Sequence, residues 1–270
     1  MDNKSRPIVF APLREADPPV WRRPTSFSFA SSISQVPLAN TEILLTGHHL
    51  PIAIDYLDDR PQVVAVLDPR FQRQSAVSDD GRWRKGYMPI ALRCLPFRLS
   101  GGKLLEVAVN VDDAKGPTKP LFEADGSLTP EVNQIEALLR RFEEGKRELT
   151  KAAERLLIAD VLRSLQLSNA AFGNALRSYT VDRNKFCSLS HSRMAYLVKD
   201  SFLPVDLAAA CIFSQRLMAT LVSVKSDHGD TSSVGTAIPV EIDELFSRKI
   251  DVEVDAGELV SFDLLEGLSP

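Results

Sequence analysis

The sequence predicts an α+β fold, in which a bent antiparallel β-sheet in the N-terminal half packs against a helical C-terminal half. Two observations lead to this prediction. Short apolar runs alternate with turn residues from Glu42 to Val111, which is typical of β-strands. After Thr129 the apolar residues recur instead at helical spacing. A chain of 270 residues, 44% of them hydrophobic, is long enough to bury a sizeable core.

Composition divides the chain into three parts. Residues 1–35 are rich in proline, serine and arginine, which predicts an extended N-terminal arm. Residues 36–226 form the predicted α+β domain, with a β-rich part at 36–126 and a helical part at 127–226. Residues 227–270 form an acidic C-terminal extension, and their alternating apolar residues predict a terminal β-hairpin.

Five apolar runs are candidate strands in the β-rich part. They are Ile43–Leu45, Leu50–Tyr56, Gln62–Leu67, Tyr87–Leu99 and Lys103–Val111. The last two are predicted to pair across the turn Ser100-Gly101-Gly102. Proline interrupts the fourth run twice, which favours a bend or an edge strand there.

The helical part begins with a clear start signal. In Thr129-Pro130-Glu131 the threonine is a predicted N-cap and the proline occupies the first helical position. Apolar residues follow at helical spacing as far as Leu165, and Gly145 leaves one helix or two as alternatives. Further helices are predicted at 190–199 and 204–224.

Charge is distributed unevenly along the chain. The net charge is −4, but residues 227–270 contain eleven acidic and two basic residues, a net of −9. The first 226 residues therefore carry +5, with seven basic and two acidic residues between Arg70 and Arg98. This pattern indicates an anionic partner, or an extension that competes for the same basic surface.

Cysteine usage and the absence of targeting signals indicate a cytoplasmic protein. The three cysteines, Cys94, Cys187 and Cys211, are odd in number and stand among apolar residues, which predicts buried free thiols. No apolar run is long enough for a secretory signal or a transmembrane helix. We expect no nucleic-acid partner, because no recognised binding motif is present and the chain is slightly acidic.

The segment from Asp79 to Phe97 is the best candidate for a binding site. It combines rigid aromatic residues with cations, and the candidate ligand-binding residues are Arg82, Trp83, Tyr87, Arg93 and Arg98. The arginines could bind a carboxylate, a phosphate or an acidic peptide by charge-assisted hydrogen bonds. The alternative is structural: the aromatics belong to a core and the arginines are solvated or ion-paired.

Catalytic chemistry finds little support in the sequence. No nucleophile elbow, Walker loop or dinucleotide fingerprint is present, and we expect no cofactor. His48-His49 with Asp55, Asp58 or Asp59 suggests a metal site, but adjacent residues of a strand point to opposite faces. We therefore predict no catalytic residue and no metal ligand.

Several motifs resemble those of the SapC family, over residues 20–226. They are Val36-Pro37-Leu38, Pro51-Ile52, Asp80-Gly81-Arg82-Trp83, Tyr87-Met88-Pro89, Arg93-Cys94-Leu95-Pro96-Phe97, Leu121-Phe122, Asp125-Gly126 and Tyr179-Thr180-Val181-Asp182. The resemblance implies an association with bacterial surface-layer proteins and no defined reaction. It also suggests a companion of outer-membrane receptor and flavin-dependent halogenase systems.

The function expected from the sequence is non-catalytic. The chain is interpreted as a SapC-like accessory protein that binds an acidic or extended polypeptide in an envelope or surface-layer system. One alternative is an iron- or zinc-dependent enzyme that uses His48 or His49 with a nearby aspartate. The other is a structural subunit of an envelope assembly.

Overall fold

The computed structural model describes residues 9–108, 117–167 and 176–218. The strands in these ranges are β1 (Phe10–Pro12), β2 (Val20–Trp21), β3 (Gln35–Pro37), β4 (Ile52–Leu57), β5 (Arg60–Val66), β6 (Phe97–Ser100), β7 (Leu104–Ala108), β8 (Lys119–Pro120), β9 (Leu162–Leu167) and β10 (Leu176–Val181). The helices in these ranges are α1 (Ile43–His49), α2 (Ile90–Arg93), α3 (Pro130–Ile158), α4 (Arg183–Cys187), α5 (His191–Leu197) and α6 (Leu203–Ser214).

The larger sheet has five antiparallel strands in the order β3-β5-β4-β10-β9. Its central strands carry apolar residues on both faces, and the residues on both faces are buried. Val63 and Ala65 of β5 join the largest core, whereas Val64 and Val66 join a small core on the opposite face. This double burial explains why the run from Gln62 reads as continuously apolar.

The smaller sheet has three antiparallel strands in the order β1-β7-β6. Strands β6 and β7 form a hairpin, and Gly101 and Gly102 at its turn have φ angles of +57° and +70°. Phe97 and Val107 of this sheet are buried in a second core with Trp21. Strands β2 and β8, which follow β1 and β7 in the chain, form a separate antiparallel pair.

Helix α3 runs through 29 residues without interruption. Its N-terminal half contributes Val132 and Leu139 to the second core, and its C-terminal half contributes Leu149 and Leu156 to the largest one. Gly145 lies between the two halves, where a Cβ atom would approach Ala39 Cβ to 2.9 Å. The sequence leaves one helix or two as alternatives, and the structure has one.

The α+β prediction is confirmed, since most of the described strands lie in the N-terminal half and most of the described helical residues lie in the C-terminal half. Three element assignments are wrong. Ile43–Leu45 begins helix α1 rather than a strand, and Tyr87–Leu95 contains helix α2. The helical pattern predicted as far as Leu165 is also wrong at its end, since α3 ends at Ile158, the chain turns at Asp160 with a φ angle of +56°, and Leu162–Leu167 forms strand β9.

Two further sequence predictions concern the N-terminal arm and the cysteines. Within the predicted arm, residues 10–12 and 20–21 form strands β1 and β2. Cys94 and Cys211 are buried, and burial raises the pKa of each thiol to about 12. Cys187, predicted to be buried, is exposed at the end of α4.

The acidic extension with its predicted hairpin, at 227–270, lies outside the described residues, as do residues 109–111 of the predicted second hairpin strand and 219–224 of the last predicted helix. Among the described helices, none is both long and apolar enough to cross a membrane.

Candidate functional site

The turn that presents Arg82 is fixed by its backbone. The N–H of Gly81 donates to the carbonyl of Ser78 at 2.9 Å, and the carbonyl of Gly81 accepts from the N–H of Phe27 at 2.8 Å. Gly81 has a φ angle of +81°, and a Cβ atom there would collide with Ser26 Oγ. Only glycine fits this position without strain, so the loop has a defined conformation.

Trp83 anchors the loop from its inner side. Its indole Nε1–H donates to the carbonyl of Tyr87 at 3.0 Å. Its ring also packs edge to face against Phe27, with centroids 6.2 Å apart. The tryptophan is therefore half-buried and positioned by two contacts. Arg82 and Arg84, on either side of it in sequence, are exposed.

Glu42 is a buried carboxylate that joins this loop to helix α1. Its Oε2 accepts from the Tyr87 hydroxyl at 2.8 Å and from the Ile90 N–H at 2.9 Å, and its Oε1 accepts from the Ala39 N–H at 2.9 Å. Burial raises the pKa of Glu42, against the opposing effect of these hydrogen bonds and of Arg93. We call Glu42, Tyr87 and Ile90 the carboxylate latch.

Arg93 supports the latch from one side. Its guanidinium carbon lies 5.5 Å from the centroid of the Tyr87 ring. Burial, and then the neighbouring Glu42 carboxylate, raises the pKa of Tyr87, so the phenol stays protonated as a hydrogen-bond donor. Arg93 is half-buried, and its charge also favours the ionised form of Glu42. These contacts make Arg93 part of the support of the loop.

Arg82 and Arg98 have separate surroundings. The Arg82 side chain is 84% exposed, and its Nε lies 3.0 Å from Asp80. Arg98 lies in β6, where its Nε donates to Glu106 at 2.6 Å and its guanidinium stacks 3.9 Å from the centroid of the Phe10 ring. Of the five residues predicted to bind a ligand, the contacts therefore join Trp83, Tyr87 and Arg93, and they leave Arg82 and Arg98 apart from that group.

Next to the loop, two histidines at the end of α1 meet further cations. A Cβ atom on Gly86 would lie 2.8 Å from His49 Cε1, so the imidazole packs directly on the glycine. Burial lowers the pKa of His49, and His48, Lys85 and Arg216 lower it further. Lys85 and Arg216 are therefore cations that lie close enough to His49 to act on its imidazole.

Phe213 of α6 contacts two of these groups. The His48 ring is 4.7 Å from the Phe213 ring centroid, and the Arg216 guanidinium lies 3.9 Å above it. The pKa of Lys85 is lowered by burial and by Arg84. We call Arg82, Arg84 and Lys85 of the loop, together with the neighbouring His48, His49 and Arg216, the basic face.

A model of the SapC family matches residues 20–221, which is most of the 270-residue chain. The chain belongs to the SapC family. Neither a curated protein nor a solved structure matches it. The match covers the latch, the loop around Trp83 and the whole basic face.

The residues around His48 and His49 do not support the metal site considered from the sequence. Across residues 9–108, 117–167 and 176–218, no group of three or more histidine, cysteine, aspartate or glutamate side chains could hold a metal ion. The cations around His49 also disfavour a divalent cation electrostatically.

Two features of the SapC-family site are not apparent from the sequence. Glu42 is 45 residues from Tyr87. The local sequence shows only that it directly precedes the apolar run from Ile43, which does not indicate a buried contact with Tyr87. Arg216 belongs to the basic face through Phe213, a tertiary contact without a sequence motif. Gly86, directly after Lys85, is the residue that allows the close approach of His49.

Proposed function

We propose that this SapC-family protein is a non-catalytic, cytoplasmic accessory protein that binds an acidic or extended polypeptide, in a bacterial envelope or surface-layer system. The observation that supports this most directly is the basic face. Arg82 and Arg84 are exposed on a loop of fixed conformation, and the same loop continues into Lys85, which together with the exposed Arg216 acts on His49. An anionic polypeptide is the complementary partner.

The ion pair between Arg82 and Asp80 does not prevent this role. Both side chains are mostly exposed, and such pairs contribute about 0–1 kcal/mol. A carboxylate of the ligand can therefore replace Asp80 at little cost. Guanidinium groups hold carboxylates in a bidentate geometry, so the two arginines would orient the polypeptide as well as attract it.

The aromatic residues of the candidate site have a supporting role in this proposal. Trp83 and Tyr87 hold the loop through the indole hydrogen bond and the carboxylate latch. Arg93 stabilises the latch. Arg98 is paired with Glu106 and is assigned no contact with the polypeptide. The ligand-binding residues of the proposal are thus those of the basic face, and only Arg82 is shared with the set expected from sequence.

The test is a binding measurement with a fluorescein-labelled twelve-residue peptide of alternating glutamate and glycine, followed by fluorescence anisotropy. The double variant Arg82→Ala/Arg84→Ala should bind it roughly tenfold more weakly at low salt, with an unchanged melting temperature. The loss should shrink as salt is raised.

The matched control is Arg141→Ala/Arg147→Ala, which removes the same net charge from two exposed positions on α3. An equal loss of affinity in this control would show that only net charge matters and would contradict the proposal. Absence of binding by the unsubstituted protein would also contradict it. Stoichiometric iron or zinc in the purified protein would instead favour a metal-dependent enzyme that uses His48 or His49.

A further inference from the structure

Helix α1 exposes two leucines on its outer side. Leu44 and Leu45 are 59% and 44% exposed, whereas Ile43, Thr46 and Gly47 of the same helix are buried. His48 follows Leu44 by one turn and faces outward as well. Two neighbouring exposed leucines on a seven-residue helix leave an apolar surface without cover in the described structure.

Helix α6 presents a second apolar surface. Asp206 is the one charged residue among its twelve. Phe202, at its N-cap, is 70% exposed. The apolar residues on the outer side of the helix recur at helical spacing and are exposed or half-buried: Phe202, Val205, Ala209, Ile212 and Phe213.

The two helices bring these surfaces together. Gly47 allows a close approach, since a Cβ atom there would lie 3.3 Å from the carbonyl oxygen of Ala210. One residue further along α1, His48 contacts Phe213. We call the outward residues of both helices the apolar face: Leu44, Leu45, Phe202, Val205, Ala209, Ile212 and Phe213. Its C-terminal end meets the basic face at His48 and Arg216.

We propose that the apolar face binds large apolar side chains of the same polypeptide whose acidic residues bind the basic face. This inference rests on the proposed function and deepens it, because it adds a sequence requirement to the partner. The partner carries apolar residues beside carboxylates. Its carboxylates lie toward Arg216, and its apolar residues lie toward Leu44 and Phe202.

Charge complementarity selects this occupant. The apolar face ends beside the Arg216 guanidinium at one end, and the one acidic residue of α6, Asp206, lies near the other end. Residues 1–226 contain 30 basic and 25 acidic residues, a net of +5, so the same region of a second copy has the wrong sign of net charge for the basic face. A segment that carries carboxylates next to apolar side chains can contact the basic face and the apolar face at the same time.

Two labelled sixteen-residue peptides test the inference by fluorescence anisotropy. Both have a glutamate-rich half, and the other half contains four leucines in one peptide and four serines in the other. We expect the leucine peptide to bind at least roughly tenfold more tightly, because it buries apolar surface that the serine peptide cannot. The variant Leu44→Gln/Leu45→Gln should remove this difference and retain the affinity for the serine peptide.

The control variant is Leu57→Gln/Leu104→Gln, which changes two exposed leucines on strands and should preserve the difference. If the α1 variant does not fold, Phe202→Ser replaces it. Equal affinity for the two peptides overturns the inference and leaves the proposed function intact, whereas failure of both peptides to bind overturns both.

Two further measurements separate the other occupants of the apolar face. Light scattering that shows a dimer lost in the α1 variant would assign this face to a second copy. Leucine-dependent binding to vesicles of phosphatidylglycerol and phosphatidylcholine, without a peptide preference, would assign it to a lipid surface. Either result overturns the inference.

Discussion

Substitution of Glu42 by glutamine tests the carboxylate latch. Glutamine keeps the shape of the side chain but replaces one acceptor oxygen with an NH2 group, which cannot accept a hydrogen bond from Ala39, Tyr87 or Ile90. A lost hydrogen bond that leaves a buried donor unpaired costs about 1–3 kcal/mol. Since at least one buried donor is left unpaired, we expect about 1–3 kcal/mol of destabilisation.

Urea unfolding followed by circular dichroism measures this cost as a shift in the midpoint. Glu136→Gln is the matched control, because Glu136 lies on the surface of α3 in an i,i+4 pair with Arg140. It should cost less than about 0.5 kcal/mol. A Glu42→Gln penalty as small as that of the control would refute the latch.

The pH dependence gives the same variant a second readout. Burial raises the pKa of Glu42 in the folded protein above the ordinary value of 4.5. Its contribution to stability is therefore fully present below that value and is lost as the pH rises through the folded pKa. Since glutamine does not titrate, the penalty of Glu42→Gln should grow as the pH is lowered from 8 to 5. A constant or shrinking penalty would contradict this assignment of the pKa.

Three further predictions concern helix packing and charge. Gly145→Ala should lower the unfolding midpoint although alanine favours helices, because its Cβ would lie 2.5 Å from Asn40 Oδ1 and 2.9 Å from Ala39 Cβ; a raised midpoint would contradict this packing. Affinity for the glutamate peptide should rise as the pH falls below 6.5, because a bound carboxylate favours protonated His49, and titration of His49→Gln should show a weaker rise. Deletion of residues 227–270, which removes a net charge of −9, should strengthen binding of that peptide in anisotropy titrations at low salt, and unchanged affinity would reject competition by this segment.

The local sequence is sufficient to predict an element where the spacing of its buried residues matches the repeat of a strand or a helix. The run from Gln62 is apolar on both faces of β5, and the residues after Thr129 repeat at helical spacing along α3, so both were predicted. The Ser100-Gly101-Gly102 turn was predicted for a related reason, because its glycines adopt positive φ angles. In each case neighbouring residues carry the signal.

Errors arose where tertiary contacts decide the conformation. Three apolar residues at Ile43–Leu45 fit a strand as well as a helix, and the packing of Gly47 on α6 and the anchoring of Glu42 are both remote in sequence. Leu165 follows Val161 at helical spacing, but it belongs to β9, and Asp160 gave no glycine signal for the turn before it. Arg82, Trp83 and Tyr87 stay predictions as ligand-binding residues, whereas the contact of Tyr87 with Glu42 required the fold.

A single long helix has a consequence for how this protein tolerates change. At 1.5 Å per residue, α3 extends about 43 Å and has one half in each of the two main cores. A substitution that destabilises either core also destabilises α3, so we expect the two cores to unfold together. Amides along the middle of α3 should then exchange with solvent at one common rate, set by opening of the whole body.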